Sequence, residues 1–370
     1  MNVVIDGIIY KMQAWGGIAR IFNEILPRIC NIDRSLHITL LSYKSNCQTL
    51  PAHDNIHDLS LPQAQRFLRP GFLWRPFVPK IQQQIYNLFL KELQKQIWHS
   101  SYYTLPDLWK GPLVITVPDM AHERYPEFFG KEIKEFRKLK QRCILNADAI
   151  IAISQTTKND LISFYAINAD KIWVVPPACS DVFREKGADE HWAAIIPGKP
   201  YLLYVGIRSH YKNVDRLIEA YRQWRGHEEV DLVVVGRPWT LNQIDELKRL
   251  GLDRYVHLLG HIDDRTLAKL YRRAVALVYP SLYEGFGIPL LEAMACGCPI
   301  VASKIPSTIE VAGKCPVYFD PQDSDSMVNA FEIALTEGRN SARVEKGFEK
   351  IKHYSWDKTA QQTLEVYRGL

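Results

Sequence analysis

Long apolar runs are missing from this 370-residue chain: none approaches the ~20 residues needed to cross a bilayer, so no membrane-spanning helix is predicted. The start, Met1-Asn2-Val3-Val4-Ile5-Asp6, has no basic stretch before its apolar residues and runs straight into a buried-strand pattern. No signal peptide is expected there, and the predicted location is cytoplasmic. Cysteine is sparse and unpaired in pattern: Cys30, Cys47, Cys143, Cys179, Cys296, Cys298 and Cys315 are odd in number and scattered. Only Cys296-Gly297-Cys298 is close-set, and no second pair or histidine cluster completes a zinc site. These residues are read as small core side chains in a reducing compartment. Short-period repeats are absent too. The net charge of +5 comes with no nucleic-acid recognition signature, so no nucleic-acid partner is expected.

What is present is an ordinary globular composition, 47% hydrophobic and 24% charged, in a chain too long for one core. Two domains are expected. The positive charge is unevenly spread: residues 66–142 carry fourteen Lys/Arg against seven Asp/Glu. Within them, Arg66-Phe67-Leu68-Arg69-Pro70-Gly71-Phe72-Leu73-Trp74-Arg75-Pro76-Phe77 interleaves basic and aromatic residues. Such a segment suits an anionic membrane surface, each basic residue adding about 1 kcal/mol near it. It suits equally a proline-rich surface loop with its aromatics tucked in.

Strands and helices alternate through both halves. The first half has strands at Val3–Ile5, 37–42, 96–99, 112–117 and 148–153, and a helix from Ile18 to Cys30 with apolar residues at helical spacing. Ser154 is placed as the cap of a helix beginning near Thr156. The strand from Lys171 to Pro177 precedes a linker at Phe183–Pro200, rich in charge, glycine and proline. The second half repeats the pattern, with strands at Tyr201–Val205, Val230–Val235, Val256–Leu259, Val275–Tyr279 and Pro299–Ala302. The alternation predicts an α/β fold: parallel sheets covered on both faces, with ligands bound beyond the carboxyl ends of the strands. Gly206, Gly236, Gly260 and Gly285 all fall at such ends.

Two blocks there carry chemistry. Tyr283-Glu284-Gly285-Phe286-Gly287-Ile288-Pro289-Leu290-Leu291-Glu292-Ala293-Met294 sets two carboxylates eight residues apart across a glycine turn and a helix start. Pro289 suits the first helical position, and the amides of Leu290 and Leu291 are expected to face a phosphate. A molecule with phosphate at its middle and hydroxyls at both ends fits between Glu284 and Glu292; the plain alternative is a capped strand-turn-helix. In Gly206-Ile207-Arg208-Ser209-His210-Tyr211-Lys212-Asn213, Arg208 supplies a planar fork and Lys212 a point charge for phosphate.

The run from Pro280 to Ser303, with the Gly206–Asn213 block and its Lys-Asn, resembles the retaining nucleotide-sugar glycosyltransferases of family 4. The resemblance covers nearly the whole chain. It implies a GT-B fold: two Rossmann-like domains facing a central cleft, residues 1–185 on the acceptor side and 186–355 on the donor side. The end of the chain, 356–370, would cross back to the first domain. It implies that Glu292 holds the nucleotide ribose and Glu284 the donor sugar, with Arg208 and Lys212 at the diphosphate. Gly206, Phe286, Gly287, Ile288, Leu290 and Leu291 would line the donor, and Gly16-Gly17 would approach the diphosphate from the first domain. The implied reaction moves a hexose from a nucleotide diphosphate sugar to a hydroxyl of a glycan or lipid-linked saccharide, with closure of the domains. GDP-mannose is the first expectation for the donor, UDP- and ADP-sugars staying open. No cofactor and no metal are implied. Asp323-Ser324-Asp325 has the Asp-x-Asp form that other nucleotide-sugar enzymes use for a cation, but it lies at a helix start and is read as capping.

The pattern departs at Pro118, where the family has a histidine before Asp119. Asp119 and His122 remain as acceptor-side candidates, against readings as a turn former and a satisfied polar residue. His99-Ser100-Ser101-Tyr102-Tyr103 resembles a segment at the acceptor cleft, where the aromatics either stack on sugar or pack. Two rivals stay open: a non-catalytic nucleotide-sugar-binding accessory protein and a GT-B-fold nucleotide-sugar epimerase.

Overall fold

The structure is a computed structural model; it describes residues 1–12, 16–42, 50–61, 84, 88, 90–185 and 198–370. The basic-aromatic segment at 66–77 lies outside these residues, as does most of the expected linker. Two units emerge. Unit 1 comprises Met1–Glu123, Phe129–Pro177 and Trp356–Leu370; unit 2 comprises Arg124–Phe128 and Ala178–Ser355.

Unit 1 holds a seven-stranded sheet: β1 (Asn2–Asp6), β2 (His37–Ser42), β3 (Ile56–Ser60), β4 (Ile97–Ser100), β5 (Leu113–Val117), β6 (Ala149–Ala152) and β7 (Ile172–Val174). The order is β3-β2-β1-β4-β5-β6-β7, and every pairing is parallel. Its helices are α1 (Ile8–Met12), α2 (Gly17–Ile32), α3 (Ala121–Arg124), α4 (Ile133–Asn146) and α5 (Gln155–Tyr165). Ser154 caps α5, its hydroxyl accepting from the Thr157 amide. Several elements of this unit, α1, β3, α3 and α4 among them, are absent from the sequence reading, two of them for plain physical reasons. α1 is five residues long, too short to show a period, and β3 is an edge strand whose residues are largely exposed.

Unit 2 holds a second all-parallel sheet: β8 (Tyr201–Val205), β9 (Asp231–Val235), β10 (Val256–Leu259), β11 (Ala276–Tyr279), β12 (Ile300–Ser303) and β13 (Val317–Phe319). The order is β10-β9-β8-β11-β12-β13. Its helices are α6 (Val214–Gln223), α7 (Leu241–Arg249), α8 (Asp264–Arg273), α9 (Ile288–Ala295), α10 (Pro306–Ala312), α11 (Ser324–Glu337) and α12 (Ala342–Ile351). Leu202, Leu232, Ala276, Val278 and Val301 of the sheet join Leu217 and Tyr221 of α6, Trp224 just past its end and Phe331 of α11 in one buried core. Burying each of the Leu, Val and Phe side chains stabilises the unit by about 1.5–3 kcal/mol. In both sheets the order reverses direction beside the first strand, between β1 and β4 and between β8 and β11. A crevice opens at such a reversal because the connecting helices diverge to opposite faces, and ligands bind there.

The last helix, α13 (Trp356–Arg368), belongs to unit 1 and lies against α2. It is tied by Arg28 to Asp357 at 3.2 Å, Arg368 to Asp33 at 2.8 Å, and the Thr359 hydroxyl to the Pro176 carbonyl at 2.7 Å. The tie at its core is His99. Its Nδ1 lies 2.6 Å from the Tyr367 hydroxyl and its Nε2 2.8 Å from the Thr116 hydroxyl, with the ring edge-on to Phe22. Complete burial pushes the imidazole pKa down to about 3.

Behind the segment that follows β5 lies a buried ion pair. Lys140 and Glu123 have fully buried side chains 2.7 Å apart. Lys140 also donates to the Asp119 carbonyl at 2.8 Å, and Glu123 accepts from the Tyr165 hydroxyl at 2.7 Å. The pair pins α3 to α4 and α5.

Each of these groups makes a measurable demand on stability. Lys140→Met strands the Glu123 carboxylate without its cation and should cost about 3–5 kcal/mol in urea unfolding; Lys140→Met/Glu123→Leu should recover most of it. His99 stays neutral in the folded state while the unfolded imidazole takes a proton below about pH 6.5. Stability should therefore fall as pH drops from 6.5 towards 3, by about 1.5–2 kcal/mol between pH 6.5 and 5. His99→Gln should flatten that part of the profile while lowering stability at pH 7.5.

Candidate functional site

The exits of β8 and β11, neighbours in the sheet, carry the two blocks singled out in the sequence. At the β8 exit, Gly206 has φ +155°, and a Cβ there would stand 2.8 Å from the Tyr204 hydroxyl. At the β9 exit a Cβ on Gly236 would meet the Gly206 carbonyl at 2.0 Å, so this turn can lie beside the β8 exit only with glycine at 236. A 3₁₀ turn at His210–Lys212 follows, then Asn213 in the left-handed region at φ +59°. Asn213 Nδ2 donates to the Pro280 carbonyl at 3.0 Å and the Pro321 carbonyl at 2.7 Å. The Asn of the Lys-Asn pair thereby ties this loop to the exit of β11.

Arg208 is held on several sides. Its Nε donates to Asp215 at 2.7 Å, its Nη2 to Glu246 at 2.7 Å, and its guanidinium lies 4.6 Å from the centre of the Trp239 ring. Nη1 is buried and has no partner among the described residues, a donor position that ordinarily does not stay empty. Lys212 lies 2.6 Å and 2.8 Å from the two carboxylate oxygens of Glu284. Glu284 also accepts from the Ser281 hydroxyl at 2.6 Å and shares a hydrogen bond with Tyr279, whose own pKa is driven up by burial and by that carboxylate. Glu292 is buried on α9 and accepts from the Tyr271 hydroxyl at 2.9 Å. Burial and the neighbouring carboxylate raise the Tyr271 pKa well above its usual value, so this hydroxyl stays a donor.

The start of α9 differs from expectation. Gly287, at φ +116°, is the cap, Ile288 opens the helix and Pro289 follows it rather than leading. The Leu290 amide donates to the Gly287 carbonyl at 3.0 Å. Pro289 has no N–H and Leu290 has spent its own, so this helix start offers fewer donors to an anion than its sequence implies. Leu290 and Leu291 are fully buried core residues, and Phe286 is buried edge-on to Tyr354. Ile288 is half-buried.

In unit 1 the acceptor-side candidates have structural duties. Asp119 accepts from the Ala121 amide at 2.9 Å and starts α3. His122 packs between Phe129 and Phe136, with ring centres 4.4 Å and 4.7 Å away; its Nδ1 is buried without a partner among the described residues, and burial lowers its pKa. It is neutral at physiological pH, which removes it as a charged group there. Gly16 caps α2 through its carbonyl, which accepts from the Arg20 amide at 3.1 Å, and Gly17 opens the helix. Tyr102 and Tyr103 pack against each other and Phe136. Asp323 caps α11 by accepting from the amides of Asp325 and Ser326. Among the described residues no cluster of three or more His, Cys, Asp or Glu gathers to hold a metal ion. The six described cysteines are buried and unbridged.

Sequence reasoning missed the residues that hold the candidates in place: Asp215, Glu246 and Trp239 around Arg208, Ser281 and Tyr279 around Glu284, and Tyr271 under Glu292. Ser281 had a local signal, sitting three residues before Glu284. Glu246 and Tyr271 lie 38 and 21 residues from their partners, and no spacing rule reaches them.

Residues 188–350 match the family described as Glycosyl transferases group 1, and residues 16–182 match that described as Glycosyltransferase Family 4. Between them the matches cover most of the chain. An O-antigen chain mannosyltransferase B of Escherichia coli is 28% identical over 291 residues, 76% of each chain. Sucrose-phosphate synthase from Thermosynechococcus elongatus superposes with a TM-score of 0.78 at 17% identity, covering 100% of this chain and 98% of the other. HepE of Anabaena, in complex with UDP and glucose, superposes at 0.73 and 18% identity, covering 100% and 99%. Two Rossmann-like parallel sheets, a C-terminal helix returned to the first unit and these matches lead to one assignment: the chain is a glycosyltransferase of the GT-B fold, belonging to the group 1 glycosyltransferases.

Proposed function

We propose that the protein transfers a hexose, mannose first among candidates, from a nucleotide diphosphate sugar to a hydroxyl of a glycan or lipid-linked saccharide, with retention at the anomeric carbon. The observation that carries this reading is the delivery of the block bearing Arg208 and Lys212 and the block bearing Glu284 and Glu292 to the neighbouring exits of β8 and β11, where Lys212 and Glu284 bond to each other. Two cations suit a diphosphate, whose negative charge grows as the sugar–phosphate bond breaks. Glu292, fixed by Tyr271, suits the ribose hydroxyls, and Glu284 those of the donor sugar. Gly16 and Gly17 open α2 with no capping side chain, which suits an approach of that helix start to the diphosphate. Gly206, Phe286, Gly287, Ile288, Leu290 and Leu291 shape the loops rather than contribute charge. Asp119 and His122 stand on the acceptor side.

In the proposed step the acceptor oxygen attacks the anomeric carbon on the face the diphosphate leaves. The carbon–oxygen bond to phosphate breaks, and the acceptor proton passes to the departing phosphate oxygen. No metal or other cofactor enters this scheme. Mannose is favoured by the E. coli relative, an O-antigen chain mannosyltransferase; the Anabaena neighbour was solved with UDP and glucose, and GDP-, UDP- and ADP-sugars all merit testing. An anionic membrane surface is a further proposed partner, fitting a lipid-linked acceptor. A second reading, a nucleotide-sugar-binding protein without transfer, is favoured by Pro118 at the exit of β5.

Thermal melting against GDP-, UDP- and ADP-sugars and their free diphosphates tests the donor site. One base should raise the melting temperature. The shift should be lost in Arg208→Ala/Lys212→Ala and kept in EDTA. Glu292→Ala, which removes hydrogen bonds to a charged acceptor, should weaken that nucleotide about tenfold to a hundredfold. A metal requirement, or unchanged affinity in Glu292→Ala, would contradict these roles. Binding without release of nucleotide in the presence of any saccharide acceptor would favour the second reading.

A further inference from the structure

Lys212 and Glu284 are assigned above to different parts of the donor, yet in the structure they hold each other. The Lys212 ammonium is bonded to both carboxylate oxygens, and the two side chains are only 20% and 10% exposed. Glu284 has two further donors, Ser281 and Tyr279, on its own strand exit. A diphosphate drawn to Lys212 competes with this carboxylate for the same ammonium.

We infer that Lys212 and Glu284 exchange partners when donor binds: Lys212 passes to the diphosphate, Glu284 passes to a hydroxyl of the sugar, and Ser281 with Tyr279 keeps the carboxylate in position during the exchange. This rests on the donor-site reading above. No covalent bond changes in the exchange itself; one ion pair is replaced by another ion pair and one hydrogen bond. The intact donor supplies both new partners. A free nucleoside diphosphate supplies only one, and leaves a buried carboxylate without its cation, which is costly. The site should therefore favour donor over its own spent product, and re-forming the pair should help expel the nucleoside diphosphate after transfer.

The pair also sets a sign that simple contact roles do not. A glutamate that only touches sugar has no effect on free diphosphate when removed. In an exchange, its removal releases Lys212 and tightens free diphosphate. Glu284→Gln keeps the shape and can still accept from Ser281 and Tyr279, so the fold should survive.

The experiment is calorimetric titration of wild type, Glu284→Gln, Ser281→Ala and Lys212→Ala/Glu284→Gln with the nucleoside diphosphate and the intact sugar nucleotide of the preferred base, no acceptor present. Wild type should bind the intact donor several-fold more tightly than the diphosphate. Glu284→Gln should tighten the free diphosphate about tenfold and erase that preference, and adding Lys212→Ala should abolish the gain. Ser281→Ala should weaken the intact donor more than the diphosphate, which a purely structural role would not do. Unchanged or weaker diphosphate binding in Glu284→Gln, with wild type binding normally, would overturn the exchange while leaving the donor site standing. Absence of nucleotide binding in wild type would overturn both.

Discussion

The constraint on which unit 2 depends is the order of its parallel strands. Because β8 and β11 are neighbours although far apart in sequence, their exits deliver Gly206–Asn213 and Ser281–Glu292 to one place. The core of the proposed donor site follows from that adjacency: Asn213 can reach Pro280 and Lys212 can reach Glu284. Gly236 is a consequence of the crowding at these exits, since a Cβ there would run into the Gly206 carbonyl. Unit 1 repeats the reversal between β1 and β4, and uses the ground behind it differently. There His99, Thr116 and Tyr367 bind the C-terminal helix into the sheet, and Lys140 with Glu123 stiffens the segment that carries Asp119 and His122.

The charges in the candidate donor site are already paired. Arg208 faces Asp215 and Glu246, and Lys212 faces Glu284. Ion pairs of this partly buried kind stabilise little on net, because desolvation offsets most of the attraction. They do fix geometry, and a site that must recognise a doubly charged leaving group gains from cations whose positions are set before ligand arrives. The Nη1 of Arg208, without a partner among the described residues, is consistent with such preparation.

Much of this was legible in the sequence, and the reasons are local. Strands such as Tyr201–Val205 and Val256–Leu259 are short apolar runs ended by glycine, and the structure has them at those bounds. Ser154 and Asp323 declared themselves as caps by type and position. The start of α9 did not, because a helix boundary shifted by one residue changes which amides are spent, and composition does not register that shift. The tertiary partners were hidden for a different reason. Lys140 and Glu123 are 17 residues apart on separate helices, and only the packing of α3 against α4 brings them together. Likewise His99 in the sequence reads as the end of a strand leading to the acceptor cleft, whereas Tyr367 of the returning helix, Thr116 and Phe22 bury it completely. Pairings made by the fold are invisible to patterns read along the chain.

Amide hydrogen exchange, followed with and without the sugar nucleotide that shifts melting, tests most directly whether the β8 and β11 exits form the donor site. Protection concentrated in residues 206–213 and 281–292, with the amino ends of the same strands unchanged, is the predicted result. Protection elsewhere in unit 2, or none in these two segments while the nucleotide is demonstrably bound, would contradict it.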